Sequence, residues 1–415
     1  MRFVNSPALR QCTDLCWCII VTCMLWPTVC GTLSAQTYHS PPSQVHPLMQ
    51  DQDQTQILSI LRRDDGTLVS SAKEWNQQHR PKLLSQWTRV LGKLQPEEND
   101  IQWFGDVTQT VEVSRQQKKG YTRVELQLPI ETDFLQPHLL LIPDNAADHN
   151  CPAVIAWTST SPDFRKPEDW WGAWLARRGF VVLTGWSHIR NYRKDSSYRN
   201  GVNEVCYQRF GRWLPMAKMV HDVQREVEYL RTVPAVDGSR VGFMGFSLSA
   251  KSALYVAAFA PEIRATVAID PHLAIYGASN YLDPWYLDAR RRFDDIKTDT
   301  YPDPELRGTV WSLLDTDPTR PGFERNHHEL MALAAPRALM VIGCSTDKQS
   351  AVHSDDRQSG AYVDRAKEVY QLLEVPDQLE YVPLSCGHQA DGPEINRAWQ
   401  RFFERTLLQT AGGVR

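Results

Sequence analysis

The fold of this chain is decided by a stretch of twelve residues, Arg240-Val-Gly-Phe-Met-Gly-Phe-Ser-Leu-Ser-Ala-Lys251. A short apolar strand runs into Gly245-Phe-Ser247-Leu-Ser249 and then directly into an alanine-rich helix. A sharp strand-to-helix turn needs small residues two before and two after its central serine, because the two backbones approach closely there. Gly245 and Ser249 meet this requirement, so the stretch predicts a nucleophile elbow that presents the Ser247 hydroxyl.

The flanking sequence supplies the context that such an elbow requires. Upstream, apolar residues recur at helical spacing, namely Met216, Met219, Val220, Val223, Val227 and Leu230. The turn Val236-Asp-Gly238 then leads into the strand. A helix, a turn, a strand, an elbow and a second helix follow one another, which favours Ser247 as a nucleophile over a buried turn serine.

Several segments beyond the elbow extend the pattern, namely Tyr255-Val-Ala-Ala-Phe259, Asn280-Tyr-Leu-Asp-Pro-Trp-Tyr-Leu287, His327-His-Glu-Leu330 and Ala335-Pro-Arg337. With them, most of the chain after Ser71 resembles secreted α/β-hydrolases of the dienelactone hydrolase and acetyl xylan esterase group. It is distantly similar to the glucuronoyl esterases, which carry a lysine at the position of Lys251. The resemblance implies an α/β-hydrolase fold: a mostly parallel central sheet with helices on both faces, an N-terminal helical extension and a cap-like insertion.

Composition excludes one class of partner and indicates a compartment. The 415 residues carry a net charge of −4 with no basic patch, which gives no electrostatic footprint for nucleic acid. Residues 1–35 combine Arg2 and Arg10 with an apolar run over 15–29, the layout of a signal peptide. The run is too short for a stable membrane span, so we expect export to the periplasm or the exterior, with cleavage after Ala35 or after Gly31.

Cysteine usage leaves the disulfide state open. Five of the nine cysteines lie in the predicted signal peptide, which leaves Cys151, Cys206, Cys344 and Cys386. Four cysteines allow three pairings, and buried free thiols are an equally good interpretation. Neither a CxxC pair nor an HExxH motif is present, so the sequence does not support a zinc site.

The rest of the chain divides into an extension and a hydrolase domain. Residues 36–105 predict a flexible leader, a short helix over 54–63, and a helix that begins at Ser71, bends near Pro81 and ends at Gly92. The domain over 106–410 starts with alternating strands and continues with buried strands between helices, which is typical of a parallel sheet. An insertion at about 271–335 is expected to cap the active-site edge.

A serine nucleophile needs a histidine base and an acid that orients it, in the chain order Ser, acid, His for this fold. His388 lies in the loop after the last predicted strand and is the natural base. Asp347 follows the preceding strand and is the first choice for the acid. Alternatives are Asp355 and Asp356 in the same loop, and Asp270, which directly follows the strand after the elbow.

The oxyanion hole needs two donors, each worth about 3 kcal/mol in the transition state. The Leu248 N–H is the first by position, and the backbone of Thr158 or Ser159, after the strand that ends at Trp157, is expected to give the second. The related enzymes often have a His-Gly pair at this loop, whereas this chain has Trp157-Thr158. Leu248 also stands where glucuronoyl esterases carry an arginine, so the substrate of those enzymes is not carried over to this chain.

Two residues are predicted to bind substrate. The resemblance implies that Lys251, one helical turn beyond Ser247, contacts a substrate hydroxyl or carboxylate; a lysine paired with a carboxylate is the alternative. Trp285, in the predicted insertion, offers a flat face for a sugar ring. His327 and His328 are more typical of packing than of a pocket lining. Eight tryptophans lie near predicted loops, namely Trp157, Trp170, Trp171, Trp174, Trp186, Trp213, Trp285 and Trp311. As a group they modestly favour a bulky or carbohydrate-linked substrate, although each one by itself fits a core role.

These observations predict an exported serine carboxylic-ester hydrolase that works through an acyl-enzyme, needs no cofactor or metal, and acts on a small-molecule or polysaccharide ester. The resemblance favours an acyl group on a carbohydrate. An exopeptidase of the prolyl oligopeptidase type is one alternative, although the large gating domain of that class is absent from the sequence. A carbohydrate-binding pseudoenzyme is the other, although a serine, an acid and a histidine stand in the right order.

Overall fold

A computed structural model describes residues 57–146, 151–159, 161, 163–187, 192, 205–271, 273, 327–345 and 359–409. The predicted signal peptide and most of the predicted insertion lie outside these residues, so both stay predictions. In the described part of the chain, no helix combines the length and the apolar character needed to cross a bilayer.

A nine-stranded sheet forms the centre of the described structure, in the order β1-β2-β3-β5-β4-β6-β7-β8-β9. The strands are β1 (Val111–Lys118), β2 (Tyr121–Glu131), β3 (Phe134–Pro143), β4 (Cys151–Trp157), β5 (Val181–Gly185), β6 (Val236–Phe246), β7 (Ile263–Ile269), β8 (Ala338–Cys344) and β9 (Leu379–Leu384). The first three strands are antiparallel, and β4 to β9 pair in parallel. The predicted fold class, an α/β-hydrolase with a mostly parallel sheet, is confirmed.

The strand order explains where a site can form. From β4 the chain crosses to β5 on one side and later returns to β6 on the other side. At such a switch point the loops after the two flanking strands diverge and leave a crevice at the carboxyl edge of the sheet. The elbow after β6 and the loop after β4 therefore face each other across this crevice.

Helices lie before, between and after the strands. They are α1 (Ala72–Glu74), α2 (Arg80–Leu91), α3 (Ala173–Arg177), α4 (Pro215–Thr232), α5 (Leu248–Phe259), α6 (His327–Ala334), α7 (Ser359–Leu372) and α8 (Pro393–Phe403). Shorter 3₁₀ turns cover Glu98–Trp103, Val107–Gln109 and Pro376–Gln378, and π-helical turns cover Trp75–His79, Glu168–Gly172 and Glu404–Leu408.

Both faces of the sheet are covered, as the buried strands predicted. One apolar cluster packs α4, α5 and α6 on one face, and a second packs α3 and α8 on the other. Every residue of α5 is buried, because its alanines allow the helix to lie close to the sheet. Arg337, just before β8, donates to the Ala257 and Ala260 carbonyls at the end of this helix and to the Ile263 carbonyl at the start of β7. This cation satisfies orphan carbonyls and complements the helix dipole.

The N-terminal helices pack directly on the elements that carry the elbow. Trp87 of α2 is fully buried, donates from Nε1 to Glu329 Oε2 of α6 at 2.8 Å, and meets Tyr255 of α5 edge to face. Ser71 accepts from the Glu74 N–H as the predicted cap, and Gly92 ends α2 with a φ of 90°.

The structure tests two details of the extension, and one of them differs from the prediction. The short helix expected over 54–63 is wrong for its described part, because Arg62 bridges Leu68 in an antiparallel turn. At the break or bend expected near Pro81, the π-helical turn Trp75–His79 interrupts the α-helix, and Pro81 lies in the first turn of α2, which follows it.

One buried histidine on α4, His221, has a strongly lowered pKa. His221 packs against the rings of Phe104 and Trp213, at centroid distances of 4.3 and 5.5 Å. Burial lowers the pKa of His221 to about 3, and the cations Lys218 and Arg225 act in the same direction. His221 is therefore neutral in the folded protein at neutral and mildly acidic pH.

Replacing His221 by Phe should reduce the loss of stability in acid. The unfolded imidazole has a pKa near 6.5, so between about pH 6.5 and about pH 3 the unfolded state of the wild type binds a proton that the folded state does not. Its free energy of unfolding should fall by on the order of 3 kcal/mol more than that of His221→Phe between about pH 7 and about pH 4. Urea titrations at both pH values measure this, and equal losses would contradict it.

Candidate active site

The backbone at Ser247 is held in a conformation that few residues adopt. Ser247 has φ 58° and ψ −112°, between the end of β6 and the first residue of α5. Its N–H donates to the Ile269 carbonyl of β7 at 3.0 Å, and its carbonyl accepts from the Lys251 N–H at 3.0 Å. A β-carbon on Gly245 would lie 2.4 Å from the Ser249 carbonyl oxygen. The elbow therefore needs glycine at 245, as the sequence predicted.

Ser249 stands two residues after the nucleophile position, where the family pattern favours glycine. The structure gives its side chain a partner, because Ser249 Oγ donates to the Thr158 carbonyl at the end of β4. The substitution thus fits the turn and also joins the elbow helix to the neighbouring loop.

The structure brings His388 to Ser247. His388 follows β9, and its Nε2 lies 2.9 Å from Ser247 Oγ. Its ring packs on Phe246 with a centroid distance of 4.6 Å, and the side chain is 26% exposed. A partly exposed imidazole within hydrogen-bond reach of a serine hydroxyl has the geometry of a general base.

The acid that contacts this histidine is Asp270. Asp270 Oδ2 lies 2.5 Å from His388 Nδ1, and Asp270 is buried directly after β7. Its other oxygen accepts from the Cys344 N–H at 3.3 Å. Asp270 has φ 53°, so it shares with Ser247 a left-handed backbone that is costly for a residue with a side chain.

This arrangement corrects the first choice of acid. From the sequence, Asp347 after β8 is the first choice and Asp270 is an alternative; Asp347, Asp355 and Asp356 lie outside the described residues. The carboxyl end of β7 is next to that of β6, so a carboxylate there is near enough to meet the imidazole. Sequence order alone could not separate the two strand ends, because both follow the serine and precede the histidine.

The two predicted oxyanion donors have different positions. Leu248 begins α5 directly after Ser247, so its N–H stands at the helix N-terminus, where backbone donors lack partners within the helix. The Thr158 N–H instead donates to the Gly185 carbonyl at 2.9 Å and extends the pairing of β4 with β5. Thr158 is therefore the wrong choice for the second donor, and Ser159, the alternative from the same loop, takes its place in our interpretation.

The predicted substrate-binding residues remain predictions. Lys251 is only 2% exposed, one turn beyond Ser247, and has interactions with other groups. Trp285 lies outside the described residues. His327 and His328 are buried, with His327 Nδ1 at 2.9 Å from the Leu273 carbonyl and the His328 ring against Tyr362, which agrees with the packing interpretation.

Most of the described tryptophans near the strand ends belong to the core. Trp157, Trp171 and Trp213 are fully buried, and Trp186 is 6% exposed. Trp170 is half-buried, and its ring meets that of Phe246 edge to face with a centroid distance of 6.2 Å. Of these tryptophans, Trp170 is the one that contacts Phe246, whose own ring packs on His388.

One disulfide borders the site. Cys344, at the end of β8, is joined to Cys386, two residues before His388. Cys151 and Cys206 are buried and form no disulfide in the described part of the chain. Of the two interpretations of the four cysteines, a disulfide therefore holds for Cys344 and Cys386, and buried thiols hold for the other two. Among the described residues, no three His, Cys, Asp or Glu side chains converge as a metal site.

Fold and site together define the class of this protein as an α/β-hydrolase with a serine, a histidine and a carboxylate in line. The model of the dienelactone hydrolase family matches residues 144–281, which contain the elbow and Asp270. A sequence comparison with curated proteins finds no significant match.

Solved structures of glucuronoyl esterases share the fold over most of the chain. The enzyme from Solibacter usitatus superposes with a TM-score of 0.60 at 16% identity, covering 86% of this chain and 100% of that one. The carbohydrate esterase family 15 enzyme from Teredinibacter turnerae gives 0.57 at 15%, with 84% and 88% covered. A variant of the Sporotrichum thermophile enzyme in complex with methyl 4-O-methyl-β-D-glucopyranuronate gives 0.54 at 14%, with 86% and 89% covered.

These matches confirm the resemblance that the sequence indicated. The family match shows that the segment with the elbow and Asp270 is similar to dienelactone hydrolases, and the solved structures show the α/β-hydrolase fold. At this level of identity the structural matches establish the fold, and the substrate has to be argued from the site.

The geometry at Asp270 predicts the outcome of a paired substitution. Asp270→Asn should lower kcat for an activated ester about 10³- to 10⁴-fold, because an amide cannot stabilise the imidazolium that forms on His388. Asp347→Asn is the comparison and should change kcat by less than about threefold, since Asp270 already occupies His388 Nδ1. Steady-state kinetics of both variants decide between the carboxylates. A large loss in Asp347→Asn with an active Asp270→Asn would contradict this assignment.

Proposed function

We propose that this protein is an exported serine carboxylic-ester hydrolase that cleaves acyl esters of carbohydrates through an acyl-enzyme. The observation that carries the proposal is the continuous hydrogen-bonded line from Asp270 through His388 to Ser247, with distances of 2.5 and 2.9 Å. Such a line activates a hydroxyl that is otherwise a poor nucleophile at neutral pH.

The first half of the reaction follows from this geometry. His388 Nε2 takes the proton of Ser247 as Oγ attacks the ester carbonyl carbon, and Asp270 stabilises the resulting imidazolium. The N–H groups of Leu248 and Ser159 bind the oxyanion of the tetrahedral intermediate. As the intermediate collapses, His388 gives its proton to the departing alcohol, which leaves the acyl group on Ser247.

The second half returns the enzyme to its starting state. A water molecule takes the place of the alcohol, His388 removes its proton, and the hydroxide attacks the acyl carbon. Collapse of the second tetrahedral intermediate releases the carboxylic acid and returns the proton to Ser247. Both halves use the same base and the same oxyanion donors, so no cofactor is required.

Two observations support a carbohydrate ester as the substrate, and a third favours one type of ester. The structures that share the fold include several glucuronoyl esterases. The half-buried Trp170 contacts Phe246, whose ring packs on His388, and the large apolar ring of a tryptophan there suits a bulky substrate such as a sugar. Leu248 stands where glucuronoyl esterases carry an arginine, which favours an acyl group on the sugar over an ester of a sugar acid.

Export is supported by the N-terminal sequence and by the disulfide. Residues 1–35 have the charged start, apolar run and small residues of a signal peptide. Cys344 and Cys386 form a disulfide, and disulfides persist in oxidising compartments and are rare in the cytosol.

The serine mechanism predicts how Ser247→Ala behaves. The mature wild type should hydrolyse p-nitrophenyl acetate and react with a fluorophosphonate probe, because an activated serine reacts with both. Ser247→Ala should lose labelling and at least about 10⁴-fold in kcat. Ser252→Ala, one turn further along α5, is a matched control, because its hydroxyl contacts Met219 and the Leu248 carbonyl and should leave labelling intact.

The substrate class is tested in the same assay series. Acetylated xylan and a methyl ester of glucuronic acid separate an acyl group on the sugar from an ester of a sugar acid. We expect acetate release from xylan. Hydrolysis of the uronate ester alone would contradict the assignment of the acyl side, and a wild type with neither turnover nor labelling would contradict the serine mechanism.

A further inference from the structure

The Cys344–Cys386 disulfide joins two segments that both touch the reacting groups. Cys344 is the last residue of β8 and is fully buried, whereas Cys386 is half-buried in the loop that carries His388. The two residues are 42 positions apart in the chain. The bond therefore links the end of one parallel strand to the loop that follows the next.

The Cys344 end of the bond holds the acid. The Cys344 N–H donates to Asp270 Oδ1 at 3.3 Å, and the Asp270 N–H donates to the Ile342 carbonyl of the same strand at 2.7 Å. The end of β8 thus fixes both the backbone and the carboxylate of Asp270, with the second carboxylate oxygen directed at His388.

The Cys386 end of the bond holds the base. The loop after β9 is fastened to its neighbours by the Gly387 N–H, which donates to the Ser345 carbonyl at 3.3 Å, and by Trp171 Nε1, which donates to the Ala390 carbonyl at 3.0 Å. β9 is at the edge of the described sheet, so the loop has strand neighbours on one side only. Covalent attachment through Cys386 adds a restraint two residues before His388.

We propose that Cys344 and Cys386 are positioning residues of the reaction: their disulfide fixes the imidazole of His388 against the carboxylate of Asp270. This inference rests on the proposed function, because it assigns the bond a role in the proton transfer of that same site. The bond contacts neither substrate nor reacting atoms and acts through the two segments that it joins.

The proposal makes catalysis depend on the oxidation state of the bond. A dithiol reductant such as dithiothreitol supplies two electrons and two protons, converts the disulfide to two thiols, and is itself oxidised to a cyclic disulfide. The His388 loop then keeps its hydrogen bonds to Ser345 and Trp171 but loses the covalent restraint. Small displacements of a catalytic group are costly, since about 1 Å of misplacement can lower a rate about 10²-fold.

The test compares the oxidised wild type, the reduced wild type and the Cys344→Ser/Cys386→Ser double variant. For p-nitrophenyl acetate we expect kcat to fall about 10- to 100-fold on reduction and in the variant, with KM changed less than about twofold. The rate of fluorophosphonate labelling should fall in parallel. Reoxidation of the wild type should restore both rates.

Two controls separate positioning from folding. Circular dichroism and thermal melting under assay conditions show the folded fraction, and the comparison of kcat is made on folded protein alone. The reductant should have no further effect on the double variant, which lacks the bond. Cys151→Ala, at the opposite end of the sheet at the start of β4, should respond to the reductant as the wild type does.

The outcomes are distinguishable. An active oxidised wild type with folded, equally active reduced and double-variant forms overturns this inference and leaves the proposed function standing. Loss of activity that follows the loss of folded protein alone also overturns it, because the bond would then only stabilise the fold. An inactive oxidised wild type overturns the proposed function together with this inference. A fall in kcat in folded, reduced protein that reverses on reoxidation supports it.

Discussion

The close approach of two backbones at Gly245 and Ser249 constrains everything around it. Because a β-carbon at 245 would lie 2.4 Å from the Ser249 carbonyl, the chain can turn directly from β6 into α5 only with glycine there. The turn places Ser247 in a left-handed conformation that costs on the order of 1–3 kcal/mol. Hydrogen bonds to β7 and to the first turn of α5 offset this cost, and the burial of all of α5 holds the helix in place.

The same kind of strained backbone occurs at the end of the neighbouring strand, β7. Asp270 also has a positive φ, and with Glu374 these are the non-glycine residues of the described chain in that region. Two of the three are thus the serine and the carboxylate at adjacent strand ends. Backbone strain concentrated where a fold presents reacting groups is a general feature of functional sites, since the surrounding structure must over-determine it. Here the parallel pairing of β6, β7 and β8 holds the two strained residues in place.

Much of this could be predicted from the sequence, for reasons that the structure makes clear. The elbow, the parallel strands and His388 follow from local patterns: small residues around a serine, apolar runs between helices, a histidine after the last strand. The acid could not be chosen, because Asp270 and Asp347 both follow a buried strand and only the lateral order of strand ends places one of them at the imidazole. The sequence does not show that the Thr158 N–H is already engaged, because its pairing with Gly185 depends on the register of β4 and β5. The disulfide could not be predicted either, because the spacing of the cysteines in the sequence does not show that Cys344 and Cys386 lie close together.

The most direct test of the central claim, that Ser247 carries the acyl group during turnover, is to trap that intermediate. The wild type is mixed with p-nitrophenyl acetate, quenched in acid within one turnover, digested and mapped by mass spectrometry. We expect one acetyl group on the peptide that contains Ser247, and none on the same peptide from Ser247→Ala. Turnover with unmodified Ser247, or with the acetyl group on another residue, would contradict the account.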